Sequence, residues 1–273
     1  CDGLTQIEIP KSLERAGDDY FASYAPGAFS GCKNLKHISF EEGITEIAYK
    51  LFSNCTGLEE ITIPDTVTTI KGNAFYECSN LSKVKLSENL TVIEADAFQE
   101  CNSLQNIELP EGLSEIKDRA FYQCSNLKEI KIPDSVTKIE GSAFYECKKL
   151  QNVTLSKNLE SLGSSTFGNC DGLTQIEIPK SLERAGDDYF ASYAPGAFSG
   201  CKNLKNVSFE AGTTVIAYKL FSNCTGLEKI TIPDTVTTIK GNAFYECSNL
   251  AKVKLSENLT VIEADAFQEC KDR

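Results

Sequence analysis

Residues 55–77 read CTGLEEITIPDTVTTIKGNAFYE, and the rest of the chain is this 23-residue phrase returning with substitutions. A cysteine opens each return. The twelve cysteines stand at 1, 32, 55, 78, 101, 124, 147, 170, 201, 224, 247 and 270, spaced by 31, then 23 six times, then 31, then 23 three times. A fixed period takes precedence over any local motif, because each unit is then one element of a stacked array. Counted from its Cys, position 4 is Leu in all eleven complete units, position 7 is Ile or Val, and position 9 is Ile, Leu or Phe. Position 16 is Ile in most units, and a Phe closes every one, from Phe29 and Phe52 to Phe267. The run Leu58, Ile61, Ile63 ends in the alternation of a strand with one buried face. Pro64, Pro110, Pro133 and Pro233 at position 10 remove a backbone donor and end that strand. Asp-Thr-Val or Asp-Ser-Val turns the corner, and a second short extended segment around Thr69 and Ile70 leads to the Ala-Phe turn. A lone unit has nothing against which to bury its Leu, Ile and Phe, whereas stacked units cover one another's apolar edges. At ~4.8 Å per stacked strand, the array is a rod or arc roughly 50 Å long.

The unit C-x-x-L-x-x-I-x-[IL]-P-x-x-[LV]-T-x-I-x-x-x-A-F-x-x has the period of a leucine-rich repeat. It resembles the BspA-like class of leucine-rich repeats over essentially all 273 residues. The fold expected is a single repeat solenoid over 1–273, with parallel β-strands on the concave face and short strand, 3-10 or irregular segments on the convex face. The resemblance further implies a surface-exposed or secreted protein of bacteria or parasitic protists, with a part in adhesion to host proteins or other cells. It brings no catalytic residues with it.

A larger copy lies within the array. Residues 1–101 return as 170–270 with 94 of those 101 positions identical. The exceptions are His37/Asn206, Ile38/Val207, Glu42/Ala211, Ile44/Thr213, Glu46/Val215, Glu60/Lys229 and Ser82/Ala251. The copy is offset by 169 residues, seven units, and eleven complete units and a partial one fill the chain. No polar capping segment and no methionine are present, and the chain is expected to be a piece of a longer or processed array. Head-to-tail stacking of one chain on another is the alternative.

Charge and composition exclude several functions. Lys plus Arg number 27 against 39 Asp plus Glu, a net charge of −12, the wrong sign for nucleic-acid phosphates. The apolar runs are only a few residues long, so no membrane insertion is expected. His37 is the one histidine and has Asn206 as its twin, which makes it a surface residue rather than a proton shuttle. The cysteines lack the C-x-x-C pairing of zinc sites. Stacked at ~4.8 Å, their Cβ atoms fall outside the usual disulfide range of roughly 3.5–4.5 Å, so a ladder of buried thiols is expected. No G-x-S-x-G, phosphate loop or metal cluster occurs, so neither an enzyme nor a cofactor is expected.

Two regions are candidates for binding. In units 1 and 8 the three residues before Ala-Phe become eleven, 17–27 and 186–196. Asp18, Asp19, Tyr20, Phe21 and Tyr24, with their repeats Asp187, Asp188, Tyr189, Phe190 and Tyr193, give these inserts an aromatic and acidic composition suited to an interface. The alternative is a loop folded back over neighbouring apolar edges. Calcium at Asp18 and Asp19 has no following series of oxygen ligands. On the strand face, positions 6 and 8 present a mixed polar surface that includes Lys83, Lys85, Glu108, Glu129 and Lys131. The N-x-[ST] triplets at Asn54, Asn89, Asn152 and Asn223 recur with the repeat and matter only in a host that glycosylates. The function expected is a non-enzymatic, adhesin-like array that recognises an unidentified extracellular or host protein through the strand face, the inserts or both. The alternative is a structural spacer of a larger surface protein.

Overall fold

The computed structural model describes residues 3–13, 26–186 and 194–270. Each sequence unit is one coil of a parallel β-solenoid, coil 1 opening at Cys1 and coil 11 at Cys247. No helix occurs among the described residues. Coil 3 shows why the phrase folds this way. Glu60–Thr62 is a strand whose middle residue points inward, and Leu58, Ile61 and Ile63 are all buried. The corner closes when the Val67 N–H meets the Pro64 carbonyl at 2.9 Å. The second strand is only Thr69–Ile70, after which the buried Ala74 and Phe75 return the chain to the next cysteine. In coils 2–7 and 9–11 two non-glycine residues of the turn have left-handed backbone, here Asn73 (φ 57°) and Glu77 (φ 56°). Such conformations cost of order 1 kcal/mol each. They are held because the turn bonds to the next coil, Asn73 to Ala95 at 3.0 Å, Phe75 to Ala97 at 2.8 Å and Glu77 to Gln99 at 2.8 Å.

Two columns run through the interior. The phenylalanines from Phe29 to Phe267 stack with ring centroids 5.1–6.1 Å apart. Beside them, ten cysteines donate Sγ–H to a phenylalanine carbonyl of an earlier turn at 3.1–3.3 Å, for example Cys124 to Phe98 and Cys147 to Phe121. That carbonyl also accepts the N–H of the cysteine in its own turn, as Phe98 does from Cys101 at 3.2 Å. Burial pushes the thiols of Cys124 and Cys201 up to about 12. Such a group is a packed hydrogen-bond donor, far from the thiolate a nucleophile or metal ligand needs.

The second strands form a seven-stranded parallel sheet from Glu46–Ile47 to Arg184–Ala185 and a three-stranded sheet from Val215–Ile216 to Val261–Ile262. The break between them falls where the 186–196 insert leaves the coil. The first strands do not form one sheet. They pair two by two, in coils 1–2, 3–4, 6–7, 8–9 and 10–11. Coil 5 has no strand there, and its Asn106–Glu108 stretch lies without a ladder on either side.

Position 10 accounts for every junction. Where the later coil carries Glu or Ser (Glu41, Ser87, Ser156, Glu210, Ser256) the first strands pair; where it carries Pro (Pro64, Pro110, Pro133, Pro179, Pro233) they do not. The glutamates donate their N–H to the preceding coil, Glu41 to Ile9 at 2.8 Å and Glu210 to Ile178 at 2.9 Å. Proline sets a ring carbon against that carbonyl and offers no donor. Corner clasps reinforce the paired junctions. The carboxylates of Asp65, Asp134 and Asp234 accept the N–H of Glu88, Lys157 and Glu257 at 3.1, 2.9 and 3.1 Å. Glu41 and Glu210 accept those of Lys11 and Lys180. The solenoid is thus a series of two-coil modules. Coil 5 is left over because both it and coil 6 carry proline.

Candidate interaction surfaces

Alternation sends Val84 and Ile130 toward the core and leaves Lys83, Lys85, Glu129 and Lys131 exposed on the strands Lys83–Lys85 and Glu129–Lys131. Glu108 is exposed on coil 5 between them. The structure gathers all five. A cleft of about 480 Å³ between coils 4 and 5 is lined by Lys83, Lys85, Glu88, Glu108 and Glu111. An adjoining cleft of about 600 Å³ over coils 5 to 7 is lined by Glu108, Glu111, Glu129, Lys131, Asn152 and Thr154. Both sit at the junctions without a ladder, where adjacent strands are not drawn together. The N–H groups of Asn106, Ile107, Glu108 and Leu109 make no hydrogen bond to described backbone.

The charges here are solvated and of both signs. Lys131 donates to Glu111 at 3.0 Å, which holds its ammonium pKa up, and Lys83 lies 4.0 Å from Glu60. Both pairs are exposed, so solvent screening leaves each with little weight in stability. Lys85, Glu108 and Glu129 form no ion pair with a described residue. Such a surface can offer charge contacts and main-chain hydrogen bonds to a protein. His37 and its twin Asn206 are likewise exposed on their first strands.

The insert residues Asp18, Asp19, Tyr20, Phe21, Tyr24, Asp187, Asp188, Tyr189, Phe190 and Tyr193 lie outside the described residues. The root of the second insert is described. A Cβ on Gly196 would stand 1.7 Å from the Lys219 carbonyl, and one on Gly27 2.0 Å from that of Lys50, so each insert must rejoin its coil through glycine. Beside that root a cleft of about 500 Å³ crosses coils 8 to 11, with Ala194, Pro195, Tyr218, Lys219, Tyr245 and Glu246 in its lining. Sequence reasoning found the inserts but not this cleft. The recurring Tyr-Glu at the end of coils 3 and 10 was the signal available. Likewise, Pro against Ser or Glu at position 10 marked the isolation of coil 5.

The stacked parallel coils, with their internal phenylalanine column and Leu-x-x-Ile-x-Ile strands, define a leucine-rich repeat solenoid, in general a non-enzymatic interaction scaffold. The sequence profile described as "BspA type Leucine rich repeat region" matches in six copies, over residues 1–103, 68–194 and 192–272, and the chain belongs to this family. Among solved structures it is similar to a leucine rich cell surface protein from Faecalibacterium prausnitzii A2-165, 26% identical over 98% of this chain and 77% of that one, with a TM-score of 0.51. The T. pallidum leucine rich repeat protein is 23% identical over 82% of this chain and 86% of that one, at a TM-score of 0.48. The pneumococcal vaccine antigen PcpA is 22% identical over 98% of this chain and 59% of that one, at 0.49. No curated protein matches. No described helix is long and apolar enough to cross a membrane.

Proposed function

We propose that the chain is a non-enzymatic, adhesin-like binding array of a cell-surface or secreted protein. It meets an extracellular protein partner on the strand face around coil 5, with the inserts 17–27 and 186–196 as a second contact. The observation that carries this reading is the convergence of Lys83, Lys85, Glu108, Glu129 and Lys131 on two adjoining clefts beside unpaired backbone. Extended solenoid surfaces suit broad protein contacts. Solvated charges of both signs contribute to selectivity and on-rate more than to raw affinity. Similarity to a cell surface protein supports the location.

Binding to a panel of extracellular-matrix and plasma proteins at physiological salt tests the reading. The chain is compared with a Lys83→Glu/Lys85→Glu variant and with a form whose two inserts are shortened to three residues. Loss of binding in the charge variant places recognition on coils 4–6, and loss on shortening places it on the inserts. No binding by any form refutes the adhesin reading. That result favours a second one, a structural spacer, which the near-identical duplication supports because lengthening a spacer costs no specificity.

Coil 8, identical in sequence to coil 1 over 31 residues, also shows how such a coil seats on a serine coil. Ser181 donates to the carbonyls of Lys157 and Leu159 on coil 7, at 2.8 Å each. Coil 11 is another serine coil, and the spacer reading includes head-to-tail stacking of one chain on another, which a concentration-independent monomer mass in sedimentation would refute.

A further inference from the structure

We propose that the flank of the solenoid at the root of each insert is a docking cleft for a cationic side chain, arginine or lysine, presented by a protein partner, and that the chain carries this cleft twice. The second copy is the cleft of about 500 Å³ beside Ala194 and Pro195. Its lining includes Tyr218, Lys219, Asn242, Tyr245 and Glu246, whose twins in the first block are Tyr49, Lys50, Asn73, Tyr76 and Glu77. None of the seven positions that separate the two blocks falls here. All seven lie at positions 5–15 of their units, on the first strand, the corner and the start of the second strand. There Glu42, Glu46 and Glu60 have become Ala211, Val215 and Lys229, so the faces differ in charge while the two root clefts have the same residues.

The chemistry of the cleft asks for a cation. In both copies a lysine already stands on a tyrosine ring, Lys50 at 5.3 Å from the centroid of Tyr49 and Lys219 at 5.4 Å from that of Tyr218. One coil further on, Tyr76-Glu77 and Tyr245-Glu246 repeat the combination of ring and carboxylate, and neither glutamate has an ion-pair partner among the described residues. Their tyrosine hydroxyls feel that negative charge. Burial and then Glu77, Glu100 and Asp96 push Tyr76 up to about 12, and Tyr245 is raised chiefly by Glu246. The third Tyr-Glu pair of the chain, Tyr145-Glu146 in coil 6, shows what belongs there, since Lys148 of the following coil lies 3.8 Å from Glu146. The two insert roots are thus the places where this pair is offered to a cation from elsewhere. An aromatic ring with an adjacent carboxylate suits a guanidinium or ammonium.

The test is an NMR titration of the whole chain with N-acetyl-arginine amide, following the ring signals of Tyr76, Tyr245 and Tyr145. Tyr76 and Tyr245 should shift saturably with midpoints within about twofold of each other, and Tyr145 should not. Glu246→Gln should raise the midpoint at Tyr245 by about threefold or more and leave Tyr76 unchanged, with the mirror result for Glu77→Gln. A Glu108→Gln/Glu129→Gln control on the strand face should change neither. Linear shifts without saturation, equal shifts at Tyr145, or persistence of both sites in the double Glu77→Gln/Glu246→Gln variant would overturn the proposal. The residues are distinct from those of coil 5, so failure here leaves the strand-face reading standing.

Discussion

Replacing Pro133 by serine should knit coil 5 to coil 6. At present the one backbone–backbone bond among the described residues that joins the first segments of these coils runs from the Lys128 N–H to the Gln105 carbonyl at 2.9 Å. The substitution turns a proline coil followed by a proline coil into a proline coil followed by a serine coil, the arrangement that pairs in coils 3–4, 6–7 and 10–11. In coils 6–7 the register is Glu129↔Asn152, Ile130↔Val153 and Lys131↔Thr154, and Ile132 donates to Thr154 at 2.8 Å. By the same geometry the N–H groups of Ile107 and Leu109 would reach coil 6, and those of Glu129 and Lys131 would reach coil 5. Four ladder bonds at ~0.5–1.5 kcal/mol each give about 2–6 kcal/mol. Against this stands about 0.4–1 kcal/mol, because the unfolded chain regains the freedom that proline denied it. Hydrogen exchange followed by NMR is the assay. The four amides should slow by about tenfold or more, as roughly 1.4 kcal/mol of local stability requires, while the amides of the coil 6–7 ladder stay as they were. If the variant folds and all four exchange as fast as before, proline at position 10 does not decide the pairing. Closing this junction should also narrow the cleft that holds Glu108 and Lys131, so partner binding at coil 5 should weaken as protection rises.

Three further outcomes follow from the same structure. Gly196→Ala places a Cβ 1.7 Å from the Lys219 carbonyl and should cost about 2 kcal/mol or more in thermal unfolding, whereas Gly112→Ala, with nothing within 4 Å, should be close to neutral; equal effects would contradict the rejoining constraint. Asp134→Ala removes the acceptor of the Lys157 N–H and should cost about 0.5–1.5 kcal/mol, with faster exchange at Lys157 and no change at the coil 3–4 clasp. The buried thiols set an alkaline limit, since Cys124 and Cys201 are raised in the folded chain from 9.0 to about 12. Folded-state protonation therefore stabilises fully below the unfolded thiol pKa of 9.0 and is lost as pH rises toward 12, by on the order of 1 kcal/mol per thiol at pH 10. The urea midpoint should fall between pH 8 and pH 10, and less steeply in a Cys124→Ala/Cys201→Ala variant; a flat profile in the parent chain would sink the argument.

The solenoid was legible because its determinants are periodic and local to each unit: Leu58, Ile61, Ile63, Ile70 and Phe75 state which side of the coil is buried, and their recurrence states what covers them. The thiol ladder was legible as packing, but its acceptor was not, because the Phe98 carbonyl that Cys124 meets belongs to an earlier turn. Proline misleads in the same way. Read within its own unit, Pro133 ends a strand; its larger effect is on coil 5, 23 residues earlier, whose ladder it denies. The exposure of Lys83 and Glu129 followed from alternation, yet their meeting on one pair of clefts depended on two successive proline coils. The repeated stretch obeys the same rule: coils 8–9 and 10–11 pair as coils 1–2 and 3–4 do, because Glu210 and Ser256 stand where Glu41 and Ser87 stand, and Pro233 leaves coils 9 and 10 unladdered as Pro64 leaves coils 2 and 3.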